Sequence, residues 1–589
     1  MEMRWNLDNL YTSFDSVEFK NDLAMIDKLI EETASWAEEK LNDKVNALEK
    51  ITWWLEREVI LGHTYSRLSS FAGLRFSVDA SDSRARKYEE ILEVKMSGLT
   101  KAQTLFIKWL PGVENLSGLI ESSAYLQTHR FYLTELVEKS RYMLSDDVEV
   151  AMAKMKNTGS NSWSQLWNVL TSNHLVEIEI DGERKSLPLP VVRNMAYDKD
   201  ARTRKKAYEA ELDSYSKITE SAAASLNGVK GEVITSCELR GYESPLEMTL
   251  KESRMDKATL DAMLGAMKKS LPSFRKYLKK KGELLGHKNG LPFFDLFAPM
   301  GESDMTFTYS EAREFIVKNF RNFSDELADF ADSAFERNWI DAEPREGKRG
   351  GAFCANLHVI GESRVMSNFT GSFSDVTTLA HELGHANHGH CLRNETYINS
   401  DYPMPLAETA SIFCETIVVN AALKEADEKQ AFTILESSIS DATQVIVDIY
   451  SRYLFETELF EKRKDSSLSV EEMQQAMING QKGSYGDGLD PDWLHPYMWV
   501  CKPHYYYSDA NFYNFPYAFG LLFAKGLYAE YLKRGEPFIE SYNELLRATG
   551  SNNIADVAAR MGIDVRTEDF WKSSLDIVAQ NIETFLKIS

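Results

Sequence analysis

The chain has 589 residues, 43% of them hydrophobic and 27% charged, and a formal net charge of -23. Its length predicts more than one subdomain, and its composition is that of an ordinary globular protein with a sizeable core. The acidic balance argues against nucleic acid as a partner, because that demands a basic footprint. No stretch approaches the roughly 18 uninterrupted apolar residues that cross a membrane.

The first third reads as helix. Phe19, Leu23, Ile26 and Ile30 recur at spacings of four, three and four, giving one apolar face. Similar patterns run through 51–61, 87–99, 131–144 and 148–155. The first break falls near 175–190. Val176, Ile178 and Ile180 alternate with Glu177 and Glu179, and Asp181-Gly182 follows as a hairpin turn signal. Pro188 and Pro190 then speak against helix, and the boundary between an N-terminal helical region (1–190) and a larger C-terminal one (191–589) is placed there. Helical patterns resume over 198–285 and 310–338. At 352–360 and 364–369 two short apolar-rich runs, joined around Gly361-Glu362-Ser363, read as a β-hairpin. After 405 the pattern is helical again, except for a Gly-, Pro- and aromatic-rich stretch at 483–520. The fold class expected is mostly α, with a small β-sheet beside one particular helix.

That helix carries His381-Glu382-Leu383-Gly384-His385. Two histidines four apart share one helical face, where two imidazole nitrogens reach one ion, and the glutamate between them projects beside it as a general base would. Ser374 or Asp375 is the expected cap. The bare pattern is short enough to arise by chance. Its context is richer: five of the eleven histidines lie between 358 and 390.

A catalytic Zn²⁺ needs a third protein ligand and an open position. His388 lies seven residues from His381, about 10 Å along a straight helix, which strains tetrahedral ligation. Enzymes that add a third histidine there use a glycine to break the helix; here those positions are His388 and Cys391. His388 and His390 are therefore read as groups that support the ligands from behind or lie on the surface. Glu408, 23 residues after His385 and behind Pro405, is placed in the first turn of a second helix and favoured as the ligand. Glu415, two turns on along the same face, is the remaining candidate. With Glu408 as ligand, it is expected to hold a ligand histidine in one tautomer.

These residues bring a family into view. The motif, with Ala407-Glu408 and Ser411 behind it, resembles the thimet oligopeptidase family of zinc peptidases, and in particular its oligoendopeptidase F branch. The opening Trp5-Asn6-Leu7-Asp8-Asn9-Leu10-Tyr11, the approach Phe369-Thr370-Gly371, and the segment Pro503-His504-Tyr505-Tyr506-Tyr507 with Phe512 through Gly520 look like the same branch. The resemblance implies a two-lobed helical molecule with a deep substrate channel and a metal at its floor. It also implies an endopeptidase confined to short peptides, with His381, His385 and Glu408 as zinc ligands and Glu382 as base. A histidine and a tyrosine from the aromatic segment would face the substrate. His504 matches the histidine.

Peptide hydrolysis passes through an oxyanion that neutral donors stabilise. His504, Tyr507, Tyr513 and Tyr517 are the donors on offer, and the tyrosine register stays open because Phe515 falls near a family tyrosine. The hairpin offers a strand edge for an extended peptide at Gly351, Ala352 and Phe353, with Gly350 and Gly351 permitting close approach. Lys348 and Arg349 are candidates to meet a peptide carboxylate. Two rival readings remain: a zinc exopeptidase, either a carboxypeptidase or a dipeptidyl carboxypeptidase, and a non-catalytic peptide-binding homologue. Neither nucleic-acid nor membrane partners are expected. Five scattered cysteines without C-x-x-C spacing and an N-terminus without an apolar signal region point to the cytoplasm.

Overall fold

The computed structural model describes residues 2–301 and 305–589. Helices dominate, and two small sheets interrupt them. β1 (Leu175–Ile180) and β2 (Glu183–Pro188) form an antiparallel hairpin. β3 (Ile340–Asp341), β4 (Phe353–Leu357) and β5 (Glu362–Met366) form a three-stranded sheet in the order β3-β5-β4. Asp181 and Gly182 turn the first hairpin with φ of 54° and 79°, as a two-residue hairpin loop requires. Pro190 corrects the sequence reading, because it lies in the first turn of a short helix, Leu189–Asn194. A proline there forfeits no hydrogen bond.

The chain folds into two compact units that alternate along the sequence. The first comprises Met1–Met143, Met305–Lys424 and Glu530–Ile563; the second comprises Leu144–Asp304, Glu425–Ala529 and Asp564–Ser589. Residue 190 lies inside the second unit, because β1 packs on the helix that follows it, Ala201–Ser214.

In the first unit, helix Val17–Lys40 starts at Ser16, whose hydroxyl accepts from the Phe19 amide, and buries Phe19, Ile26 and Leu29 along one face. These residues join Leu68 and Phe71 of helix Ala47–Val78 in an apolar cluster that also takes in Leu357 of β4. Phe353 and Ala355 pack against the same cluster. One face of β4 is therefore held by the N-terminal helices, and β4 remains an edge strand. A second cluster gathers Trp54, Phe106, Trp109 and Leu133, with Trp54 stacked on Phe106 at 4.3 Å.

The second unit packs helix Lys257–Leu284 on Glu568–Ile588, and Ile449–Arg463 on Val470–Ser484. Its interior holds ion pairs: Arg204 to Asp295 at 2.7 Å, Lys230 to Glu456 at 2.9 Å and Lys281 to Glu436 at 2.6 Å. Buried charges of this kind persist only when paired and hydrogen-bonded.

Candidate active site

The motif helix runs Phe373–Leu392. Its cap is Ser372 and not Ser374 or Asp375. Asp375 is instead the third helical residue, and it closes a capping box with Ser372. The Asp375 carboxylate also accepts from the amides of Thr370 and Gly371, each at 2.9 Å. Gly371 has a φ of 102°, and a Cβ there would meet the Phe307 carbonyl oxygen at 2.8 Å. Val376, Leu379, Ala380, Leu383 and Ala386 bury the inner face of the helix.

His381 and His385 face one another with ring centroids 4.9 Å apart. Glu408 lies between a short helix, Met404–Ala407, and the longer Thr409–Glu425, at the junction and not inside a first turn. Its Oε2 is 3.2 Å from His381 Nε2 and 3.4 Å from His385 Nε2. Gly384 permits this approach: a Cβ there would stand 2.5 Å from the Ala410 carbonyl oxygen and 2.6 Å from Ser411 Cα. Glycine at this point of the motif lets the two helices touch backbone to backbone. Ser411 donates its hydroxyl to Glu408 Oε2 at 2.7 Å and so orients the carboxylate. Glu415 Oε2 is 3.2 Å from His381 Nδ1, the nitrogen pointing away from Glu408.

The ligand-type atoms of His381, His385 and Glu408 lie within 4.8 Å of one another. Two imidazole nitrogens and one carboxylate oxygen are a donor set that suits Zn²⁺, so the residues fit the ion. Burial alone would lower the His381 pKa, but Glu408 and Glu415 outweigh it and raise it to about 10. Burial pulls His385 down to about 4. Glu382 is only 6% exposed, and its Oε2 has no hydrogen-bond partner. Burial pushes its carboxyl up to about 7, against the pull of His381.

The other histidines of the region lie elsewhere. His388 is fully buried, hydrogen-bonded to Thr549 Oγ1 at 2.8 Å and stacked on Tyr402 at 4.0 Å. His390 packs against Phe330. Gly351 precedes β4 with a φ of 80°, and nothing lies within 4 Å of where its Cβ would be. Ala352 and Phe353 follow at the half-buried start of the edge strand. Lys348 is corrected: its ammonium is fully enclosed, 2.8 Å from Asp341 and bonded to the carbonyls of Asp341, Glu343 and Ser367. A structural lysine of that kind has no reach left for a peptide carboxylate.

The second unit carries the aromatic segment. His504 sits in a 3₁₀ turn, Pro503–Tyr506, and stacks on Tyr513 at 4.9 Å. Tyr517, in the first turn of helix Phe515–Arg534, brings its hydroxyl to 3.4 Å from that of Tyr513. Burial, reinforced by Arg452 and Lys502, lowers the His504 pKa and keeps the ring neutral. Tyr507 is 39% exposed and apart from this cluster. Sequence reasoning missed what holds the segment. The buried Lys230 ammonium donates to Glu456 and to Asn511 Oδ1, each at 2.9 Å. Thr249 donates to the Asn511 carbonyl at 2.8 Å, and Arg452 to Asn514 Oδ1 at 3.1 Å. Between those clamps Phe512 takes a φ of 50°, a conformation an aromatic residue adopts only when held.

A helix that presents two imidazoles one turn apart, met by a carboxylate from an adjoining helix, is the arrangement of H-E-x-x-H peptidases. The chain belongs to peptidase family M3, whose family model matches residues 194–577, and an oligopeptidase F model matches residues 112–173. It is 23% identical to oligopeptidase PepF of Bacillus subtilis (strain 168), over 96% of this chain and 84% of that protein. It is 24% identical to an oligoendopeptidase F homolog of Lactococcus lactis subsp. lactis (strain IL1403), over 100% and 97%. A solved structure from Chlamydophila abortus shares the fold with a TM-score of 0.85, at 21% identity over 100% of this chain and 98% of the other. The oligoendopeptidase-F of Enterococcus faecium does so at 0.71, with 18% identity over 97% and 98%. The protein is thus an enzyme, and a peptidase that acts on oligopeptides.

Proposed function

We propose that this chain is a zinc-dependent endopeptidase that hydrolyses internal bonds of short oligopeptides, with Glu382 as general base. The observation that carries the reading is the convergence of His381, His385 and Glu408 beside a buried carboxyl whose Oε2 is unpartnered. His381, His385 and Glu408 would hold the ion. Bound Zn²⁺ supplies Lewis acidity, which acidifies water and polarises the scissile carbonyl.

Glu382 takes the proton as water attacks the carbonyl and delivers it to the leaving amine. A carboxyl raised to about 7 by burial suits both halves of that shuttle. Glu415 fixes the His381 ring through Nδ1, which would leave Nε2 free to hold the ion. His504, Tyr513 and Tyr517 are assigned by their chemistry as neutral donors to the oxyanion; exposed Tyr507 is the weakest of the four. β4 offers main-chain groups to an extended substrate, which gives affinity with little sequence demand. The enclosed Lys348 removes one cation that an exopeptidase could have used for a terminal carboxylate. Five free cysteines support a reducing, cytoplasmic setting.

Glu382→Gln tests the reading. Metal content, measured by atomic spectroscopy, should stay at one Zn²⁺ per chain while kcat/KM falls by about 10²–10⁴-fold. Near wild-type cleavage by that variant overturns the base assignment. Chelation should abolish cleavage and Zn²⁺ restore it. Peptides blocked at both ends should still be cut; if only free-ended peptides are cut, the enzyme is an exopeptidase.

A further inference from the structure

The first unit contains a cavity of about 460 Å³ that none of His381, Glu382, His385 or Glu408 lines. It abuts the far end of the motif helix at Gly389 and Leu392, beyond His385. Its volume falls in the range of small-ligand sites. Helix Ala47–Val78 contributes Trp54, Glu58 and Tyr65 to the wall, and Tyr132, Tyr397 and Tyr402 face it from other segments. The shape is set by close packing: a Cβ on Gly62 would stand 2.0 Å from Tyr397 Cε1.

Glu58 is the anomaly in this wall. The Tyr132 hydroxyl donates to its Oε2, yet among the described residues no cation pairs with it. Arg57, which also lines the cavity, is engaged by Glu32 at 3.0 Å and lies over the Trp53 ring at 4.8 Å. Glu362, also on the wall, is already engaged by Arg337 and Arg364. Burial pushes the Glu58 carboxyl up to about 7, the mark of a group that lacks a compensating charge. An uncompensated carboxyl inside a cavity walled by aromatic faces repels anions and is left stranded by a wholly apolar occupant. An ammonium group satisfies both features at once, through a charge-assisted hydrogen bond to the carboxylate and through attraction to the rings.

We propose that this cavity is a second ligand site of the protein, one that takes a primary ammonium on a small aromatic or aliphatic body and seats it on Glu58. The site stands independently of the peptidase assignment. Free amines and the amino termini of short peptides share this chemistry, and the test separates them.

The probes are 2-phenylethylamine, its neutral counterpart 2-phenylethanol, phenylalaninamide as a peptide amino terminus, and N-acetylphenylalaninamide as its control. Each is titrated calorimetrically into the full-length protein. At least one amine should bind saturably with one site per chain, and neither neutral counterpart should bind at the same concentrations. Glu58→Gln, which keeps an acceptor for Tyr132, should weaken binding at least tenfold while leaving peptide cleavage unchanged. Tighter binding of phenylalaninamide identifies a peptide terminus as the occupant, and tighter binding of 2-phenylethylamine a free amine. The proposal is overturned if neither amine binds up to its solubility, if the alcohol binds as well as the amine, or if Glu58→Gln binds unchanged. Should Glu58→Gln fail to fold, Tyr65→Leu takes its place, with a several-fold loss of affinity expected and unchanged affinity counting against the site.

Discussion

The first unit mounts the proposed metal ligands and base on regular helices that touch through a glycine, whereas the second mounts the proposed oxyanion donors on a short irregular segment clamped by buried polar side chains. His381, Glu382, His385 and Glu415 inherit their positions from helical periodicity, and Gly384 sets the distance between the helices that present them. His504 and Tyr513 have no such scaffold. Their segment is fixed by Lys230, Thr249 and Arg452, side chains that come from distant parts of the sequence. The difference teaches that a candidate metal site, which tolerates little positional error, can be built from two regular helices and one close contact between them. A donor loop instead needs long-range polar staples, and those staples are the vulnerable part.

Removing a staple is expected to have the largest effect. Lys230→Met leaves Glu456 buried without its partner and should cost about 3–5 kcal/mol of stability, read from chemical denaturation. If the loss is under about 1 kcal/mol, the second unit is not held by this pair. The donors themselves come next: Tyr517→Phe and His504→Ala should each lower kcat, by up to about 10²–10³-fold, with Zn²⁺ retained. Equal losses of metal and activity would show instead that these residues support the fold.

The first unit should respond more gently at its periphery. Glu415→Gln should weaken Zn²⁺ binding by about 10–100-fold in a chelator competition, and an unchanged affinity would remove Glu415 from the metal support. The smallest effect belongs to the second unit and concerns how its stability depends on acid. Glu211 is buried beside Arg193, His495 and the Tyr215 hydroxyl. Burial alone would raise its carboxyl, but Arg193 and His495 hold it down from 4.5 to about 2. A carboxyl depressed on folding stabilises the protein above its unfolded pKa, and that contribution fades as pH falls from about 4.5 toward 2. Glu211→Gln should flatten the stability profile in that window, as read by melting temperature against pH.

Legibility followed the same division. The helical fold, the edge hairpin and the shared face of His381 and His385 are legible because each rests on a spacing of three, four or two residues; Glu408 and Glu415 are legible instead from Pro405, which starts a new helix, and from the family resemblance. The errors at the motif were local. Ser372, not Ser374 or Asp375, caps the helix, since Asp375 is spent on closing the box. Lys348 looked like a surface cation because a single sequence does not reveal that Asp341 and three carbonyls surround it. The hairpin at 175–188 is legible from its alternation and its Asp181-Gly182 turn, whereas the two compact units are each assembled from three separated stretches, which no local pattern marks. Lys230, Thr249 and Arg452 carry no such signal for one reason: a buried polar side chain has no periodic signature, and its role is defined by a partner brought near only by folding.

The edge position of β4 has a consequence for how this enzyme would sort its substrates. An extended chain laid along it presents only every second amide to the strand. A series of substrates each N-methylated at one position should therefore show losses that alternate along the peptide, large, negligible, then large again. The parity of that pattern would report the register in which a peptide is threaded, and a peptide slipped by one residue would expose its complementary set of side chains.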